Sequence, residues 1–409
     1  PTSGTLYIYY GTNSGSWPSD SLADANVTIT GINDQNAGAA FAGVGDVDGD
    51  GIDDLVVGGD DDSNVAFLVF GSTSFTSLDL TSVSHPTAVK IAGDFSFGSS
   101  AAAAGDVDND GIPDFLVGSP ASDLSSGGSG GFYLYLGRSI SNWSSVSTDN
   151  DADLVIEGRN NDDHAGEALS HTGFGDFDGD GIDDIILGAA DADNGGKIYI
   201  VYGIDSTAGE SLATSPLNLM NADVTLKAEN SGDQVGVSYA VIPDLNSDGK
   251  DEILVGASEN DDGGSASGKV YLIYGEALSG ESDIISVADV TYVGENSGDK
   301  LGFSVSAGGD INGDGIEDLL MAASFNDDNG FRSGKVYLIY GSSSLASITL
   351  DNADASFRGE ANNDLAGSGL AGGADVNGDG LSDFLIGSPV NSEAFTESGI
   401  AYLMQTEGS

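Results

Sequence analysis

The sequence predicts an all-β fold, a β-propeller of four-stranded antiparallel blades, and two observations support this prediction. A nine-residue acidic cassette occurs six times, first at Asp46–Asp54 and last at Asp375–Asp383, at steps of 60, 70, 68, 66 and 65 residues. Between the cassettes, short apolar or alternating runs are separated by Gly, Asn, Asp and Ser, which is typical of strands and turns rather than helices. A long repeat of this kind indicates one sheet per repeat.

Each repeat contains four of these runs, and the cassette lies between the first and the second. In the fifth repeat the runs are residues 301–307, 318–323, 335–340 and 355–358. Small residues crowd the first run, as in residues 99–105, which suits an innermost strand where the sheets converge on the axis. A β-sandwich needs no such internal repetition, and β-helices have much shorter repeats, so both are less favoured.

The number of runs leaves the number of blades open. The first, second and fourth runs occur six times, but the third occurs seven times, because the chain opens with one at residues 5–10 and closes with another at 399–404. Six complete repeats plus an extra N-terminal strand allow six or seven blades. We expect the fourth-type run at residues 27–31 to complete the last blade. Residues 5–10 would then be an unpaired strand, a natural site of self-association.

Length and charge narrow the classes of function. A chain of 409 residues ordinarily forms two or three domains, but a repeat protein buries its apolar surface between neighbouring units, so we expect one propeller domain over residues 1–409. The 66 acidic residues against 11 basic ones give a net charge of -55, which excludes binding to nucleic acid. Many of these acids serve solubility. Without cysteine there is no thiolate metal site, and no apolar stretch reaches the ~20 residues of a membrane span.

The cassettes predict about six calcium sites. Calcium takes six to eight oxygen ligands, and in a tight loop the side chains at positions one, three and five can converge on one ion. Glycine at position six permits the turn, position seven offers a backbone carbonyl, and position nine returns a carboxylate. The predicted ligands, copy by copy, are Asp46, Asp48, Asp50, Ile52 and Asp54; Asp106, Asp108, Asp110, Ile112 and Asp114; Asp176, Asp178, Asp180, Ile182 and Asp184; Asp244, Asn246, Asp248, Lys250 and Glu252; Asp310, Asn312, Asp314, Ile316 and Asp318; and Asp375, Asn377, Asp379, Leu381 and Asp383.

Other interpretations of the cassette are weaker. An EF-hand needs a bidentate Glu at position twelve, but that position is always apolar here, beginning with Val57. Magnesium prefers rigid octahedral sites and keeps its waters. One acidic loop alone would be a solvated turn, whereas six in register favour calcium. The fourth copy is the weakest predicted site, because Lys250 lies inside the loop and Glu252 replaces Asp.

The cassettes, together with two further motifs, resemble the FG-GAP repeats of the integrin alpha-subunit β-propeller over nearly the whole chain. The Phe-Gly pair is intact at Phe97-Gly98, and the Gly-Ala-Pro element appears as Gly118-Ser119-Pro120 and Gly387-Ser388-Pro389. The resemblance implies seven blades, calcium in loops on one face and binding surfaces on the other. Acidic loops such as residues 229–233 and 260–262 would lie on that other face, either as Asx turns that cap strands or as carbohydrate or cation contacts.

No group of residues predicts catalysis, so we expect a protein that is not an enzyme. The three histidines, His85, His164 and His171, lie in different local contexts and lack a nucleophile motif. The leading hypothesis is a secreted or cell-surface, calcium-stabilised propeller that binds a protein or carbohydrate ligand in adhesion. A structural subunit of an extracellular filament or layer is the alternative. A carbohydrate- or lipid-degrading enzyme comes third.

Overall fold

A computed structural model describes residues 4–10, 24–31, 36–59, 64–82, 84–93, 96–122, 128–143, 148–160, 163–167, 169, 173–212, 215–391 and 399–406. The predicted propeller is confirmed, and seven small sheets make it seven-bladed. Blades 2 to 6 each have four antiparallel strands: β3 (Phe41–Gly45), β4 (Asp54–Val57), β5 (Val65–Val69) and β7 (Ala88–Ala92); β8 (Ser100–Gly105), β9 (Asp114–Ser119), β10 (Gly131–Tyr135) and β11 (Leu154–Glu157); β12 (Phe174–Gly175), β13 (Asp184–Ala189), β14 (Lys197–Val201) and β16 (Val224–Lys227); β17 (Val235–Ile242), β18 (Glu252–Ala257), β19 (Lys269–Ile273) and β21 (Val290–Val293); β22 (Leu301–Gly309), β23 (Asp318–Ala323), β24 (Lys335–Ile339) and β25 (Ala355–Arg358).

The two terminal blades are incomplete in the described chain. Blade 1 has β1 (Thr5–Ile8) and β2 (Val27–Thr30), which correspond to third and fourth strands, and blade 7 has β26 (Gly369–Ala374), β27 (Asp383–Ser388) and β28 (Ile400–Met404). Two expectations about closure were therefore wrong: the run at 27–31 does not complete blade 7, and residues 5–8 are not unpaired. β1 pairs with β2 in antiparallel register, from Thr5 opposite Thr30 to Ile8 opposite Val27.

Burial explains this pairing. Val27 and Ile29 are fully buried in an apolar cluster that includes Val57, Val65 and Phe67 of blade 2. Pairing β2 with β28 instead would take these two side chains away from that cluster. The loss of buried apolar area favours the pair that the structure shows.

The core lies between blades, as expected for a repeat protein. Six apolar clusters join blades 1 and 2, 2 and 3, and so on to blades 6 and 7. All residues of the third strands β5, β10, β14, β19 and β24 are buried. The innermost strand β8 is buried throughout, whereas no residue of its counterpart β26 in blade 7 is buried. The terminal blades are thus the least covered part of the described ring.

The loops between third and fourth strands fasten each blade to the previous one. Three of them contribute a short parallel strand to the outer edge of the preceding blade: β6 (Leu78–Asp79) on β2, β15 (Leu217–Asn218) on β11 and β20 (Gly280–Asp283) on β16. The same loops hold the helices α1 (Ile140–Trp143) and α2 (Ile284–Val287) and most of the 3-10 turns, at Asp149–Asp151, Ser206–Ala208, Leu219–Asn221 and Leu350–Asn352; a further 3-10 turn is Ala192–Asn194. The expectation of no helical segment was therefore wrong in these loops. Within the described chain, no helix is long and apolar enough to span a membrane.

Candidate metal sites

The predicted ligand residues lie in tight loops that join the first and second strands of blades 2 to 7. In the first loop the Asp46 carboxylate accepts hydrogen bonds from the backbone amides of Asp50 at 2.9 Å and Gly51 at 2.7 Å, and Gly51 has a φ of 90° that favours glycine. Asp50 in turn accepts one from Ile52 at 2.9 Å. These backbone amides point into the loop and hold its carboxylates close together.

Position nine is the buried anchor of each loop. One oxygen of Asp114 accepts the backbone amide of Val107 at 2.9 Å, and the other accepts that of Gly137, just after the third strand, at 2.7 Å. The same two-sided contact recurs at Asp54, Asp184, Asp318 and Asp383. This carboxylate therefore fixes the loop to the end of the third strand, a role that the sequence did not reveal.

The structure brings many of the predicted side chains together. In four loops, three carboxylates each offer an oxygen within 4.8 Å of the other two: Asp46, Asp48 and Asp50; Asp106, Asp108 and Asp114; Asp176, Asp178 and Asp184; Asp244, Asp248 and Glu252. In the fifth and sixth loops Asn312 and Asn377 accept the amides of Asp314 and Asp379, both at 2.8 Å. The carbonyl ligands at position seven remain predictions.

Burial of a carboxylate without a counter-charge is costly and raises the pKa of several members of these loops. Desolvation is the main cause at position nine, where it raises the pKa of Asp114 and Glu252 to about 8, of Asp54 and Asp184 to about 7, and of Asp318 to about 6. Neighbouring carboxylates of the same loop raise them further. A divalent cation bound among these oxygens would favour the charged forms.

The fourth loop differs in detail from the other five, and its weaker metal binding remains a prediction. The backbone amide of Asp244 donates to Asp251, and Asp244 has a φ of 23°. Glu252 reaches back to the amide of Leu245 at 2.6 Å, so the longer side chain still fills the anchor position. Its carboxylate is fully buried.

Neighbouring loops are also linked to each other. Asp183, at position eight of the third loop, accepts the backbone amide of Asp106 in the second loop at 2.8 Å. Asp251 of the fourth loop makes the same contact with Asp176 of the third at 3.0 Å. These position-eight acids were not predicted to have a role, although their position in the cassette is the only signal that could have found them.

At the other end of the blades, buried lysines hold the acidic loops. Lys269 lies between Glu229 at 2.6 Å and Asp262 at 2.7 Å, and its side chain is 4% exposed. Lys335 is placed in the same way in the next blade, between Glu295 at 2.8 Å and Asp328 at 2.9 Å. The sequence analysis missed these lysines, whose signal is a Lys at the start of three successive third strands, the first of them Lys197.

The acids of the loops that lead into first strands are largely structural. Asp299 accepts a hydrogen bond from the side-chain amide of Asn326 at 2.8 Å and another from that of Asn296 at 3.2 Å. Asp233 accepts the backbone amide of Asn230 and the side chain of Asn260. These contacts fit the interpretation as Asx turns that cap strands. His171, one of the three histidines, lies outside the described residues.

Comparison with known proteins agrees with this geometry. A model of the FG-GAP repeat matches residues 169–201, 235–273, 301–339 and 366–404, and a model of the FG-GAP-like repeat matches residues 46–117, together more than half of the chain. The strands β1 and β2 lie outside the residues that these two family models match.

The individual relatives fall into two groups by name, integrin alpha proteins and phosphatidylinositol-glycan-specific phospholipases D. The chain is 30% identical to integrin alpha pat-2 of Caenorhabditis elegans over 231 residues, and 31% identical to integrin alpha-7 of Rattus norvegicus over 171 residues. It is also 30% identical over 226 residues to phosphatidylinositol-glycan-specific phospholipase D of Rattus norvegicus. These matches cover 53%, 39% and 52% of this chain but only 17%, 13% and 25% of the relatives. The chain belongs to the family of FG-GAP repeat proteins and has an integrin alpha-like β-propeller.

Proposed function

We propose that the protein is a calcium-stabilised, extracellular binding or adhesion module, with residues 1–409 forming one propeller domain. The observation that supports this most is the convergence of carboxylates, at least one of them buried in each loop, at the same end of successive blades. Calcium in about six such loops would balance charges that otherwise repel one another. Open loop sites of this type have dissociation constants of about 10⁻⁴–10⁻³ M, which suits extracellular calcium.

The ligand would be a protein or a glycan bound at the end opposite the calcium loops. The integrin relatives support this class of function, because their name denotes subunits of adhesion receptors. At that end of blade 6, Phe331 is 57% exposed, and the guanidinium of Arg332 lies 5.0 Å from its ring centroid and 5.1 Å from that of Phe325. Exposed aromatic rings beside a cation are the kind of surface that binds sugars or protein side chains.

A binding screen tests this proposal. The calcium-loaded protein would be applied to arrays of glycans and of extracellular-matrix proteins, and any ligand would be measured again with Phe331→Ala. The control is Met220→Ala, which removes a side chain that is 61% exposed at the calcium end. We expect Phe331→Ala to bind the ligand at least about tenfold more weakly than the wild type, as for the loss of an interface anchor. Met220→Ala should bind as tightly as the wild type. Binding that is equally sensitive to both variants, or to neither, contradicts the proposed face.

A structural subunit of a surface filament or layer is the second candidate. It is favoured by the terminal blades, which have fewer than four antiparallel strands in the described residues and where Tyr7 of β1 and Leu385 of β27 are 39% and 42% exposed. Sheet edges and apolar faces of this kind pair readily with other chains. Electron microscopy and sedimentation of the calcium-loaded protein distinguish the filament subunit from the binding module. Ordered polymers that are absent from the Tyr7→Ser variant favour the filament. Dispersed monomers favour the binding module.

A lipid-degrading enzyme is the third candidate, because one group of relatives is named for phospholipase D activity toward phosphatidylinositol glycans. Those relatives are about four times longer than the matched segment, so the name alone does not place their chemistry in this chain. Incubation with a phosphatidylinositol-glycan substrate tests this candidate. Turnover by the purified chain, lost on denaturation, would support the enzyme.

A further inference from the structure

A cluster of three side chains of metal-ligating types lies apart from the six cassettes, at the opposite end of blade 4. His164 and Glu167 follow the last strand of blade 3, and Asp191 follows β13. His164 Nδ1 lies 3.1 Å from Asp191 Oδ2, and each of the three residues offers a ligand atom within 4.8 Å of the other two. Two separate loops are therefore needed to form the cluster.

The donor set differs from that of the calcium loops. The cassettes offer only oxygen, the ligand that calcium prefers, whereas this cluster combines an imidazole nitrogen with two carboxylates. Imidazole is a ligand for zinc and other divalent transition metals. We propose that His164, Glu167 and Asp191 bind one divalent transition-metal ion, represented here by Zn²⁺.

The cluster opens onto a cavity between blades 3 and 4. This cavity has a volume of about 500 Å³ and is lined by the three proposed ligands together with Ser96, Ser99, Pro120 and Ala121. The Ser99 hydroxyl oxygen is shielded from solvent and has no hydrogen-bond partner in the described chain. A polar atom in this state, beside a polar cavity, is suited to a water or ligand that the metal would hold.

Three protein ligands would leave at least one position of the metal open. Zinc in proteins is usually four-coordinate, and sites with three protein ligands keep the fourth for water or an incoming group. The cavity provides room for that group, so an oxygen anion such as a carboxylate could complete the coordination. The site would thus add a metal-dependent contact to the binding face, independent of the calcium loops.

A simple surface ion pair is the competing interpretation. The His164 and Asp191 side chains are 43% and 46% exposed, and an exposed pair of this kind contributes little to stability. Metal binding separates the two interpretations, because a surface pair alone gives no selective affinity for zinc. The test therefore measures the metal directly.

Calorimetric titration of the untagged, calcium-saturated protein with Zn²⁺ is the first measurement. We expect one ion per chain in the wild type and binding weakened by at least the ~10–100-fold typical of a perturbed metal shell in His164→Asn. His164 has a φ of 49°, a conformation that Asn tolerates, so this variant should fold normally. Asp191→Asn should weaken binding in the same way, and the control His85→Asn should not.

Histidine NMR gives an independent result, because the chain has only three histidines. Zn²⁺ should shift the imidazole signals of one of them, and that signal should be the one missing from His164→Asn. No zinc binding in the presence of calcium, zinc affinity unchanged in His164→Asn, or an equal response of all three histidines would each overturn the proposal.

Discussion

Asp114→Asn gives the sharpest test of the position-nine carboxylates. Asp114 is fully buried, accepts two backbone amides, and has its pKa raised by burial to about 8. Without a cation it is therefore mostly protonated at pH 7, and Asn is a close neutral substitute. The substitution then costs about 0.5–1.5 kcal/mol, the net value of the one hydrogen bond that the amide group cannot accept.

With calcium, the same substitution has a larger effect. A bound ion favours the charged carboxylate, and losing its site removes the stabilisation by binding. That stabilisation is about 1.4–2.7 kcal/mol when free calcium is ten to one hundred times the dissociation constant. The variant should therefore lose about 1.4–2.7 kcal/mol more in saturating calcium than in chelator.

Denaturant unfolding of both proteins, with calcium and with chelator at pH 7, provides the assay. Asp351→Asn serves as the control, since it makes the same side-chain substitution at an exposed position outside the cassettes. The same loss of stability in both solutions would refute the reasoning. It would show that Asp114 only joins the loop to the third strand.

Two further predictions concern stability. Lys269→Met removes the buried ammonium group that bonds the partly buried Glu229 and the exposed Asp262, so we expect a loss of about 1.5–3 kcal/mol in denaturant unfolding, the value of charge-assisted hydrogen bonds. The half-exposed Lys227→Met should lose less than about 1 kcal/mol, and similar losses for the two variants would contradict the role of the buried lysine. In chelator, carboxylates such as Asp114 and Glu252, whose pKa values are raised to about 8, bind protons in the folded protein at pH values where the unfolded chain does not. The melting temperature should therefore fall as pH rises from 5 to 8, and calcium should remove this fall; a melting temperature that is flat or rising in chelator would show that the raised pKa values do not govern stability.

Much of the architecture could be predicted because it repeats. The spacing of the cassettes fixes the length of a repeat, and the glycine at position six fixes the turn, so the strands on either side follow. Closure of the ring could not be predicted in this way. It depends on whether Val27 and Ile29 bury more apolar area beside blade 2 or beside blade 7, and that comparison needs coordinates.

For a similar reason, the cassette residues of the site could be predicted from the sequence and the contacts between distant residues could not. The cassette side chains lie within one loop, so their convergence follows from local geometry. Contacts such as Lys269 with Glu229, or His164 with Asp191, join residues far apart in sequence through the packing of neighbouring strands. The sequence shows the types of these residues but not that they meet.

Calcium binding by the decalcified protein tests the central claim most directly. Isothermal titration calorimetry at pH 7, with the bound metal counted by elemental analysis, measures both the number of ions and their affinity. We predict saturable binding of about six calcium ions per chain, with dissociation constants near 10⁻⁴–10⁻³ M. Absence of saturable calcium binding by the folded protein would contradict the account.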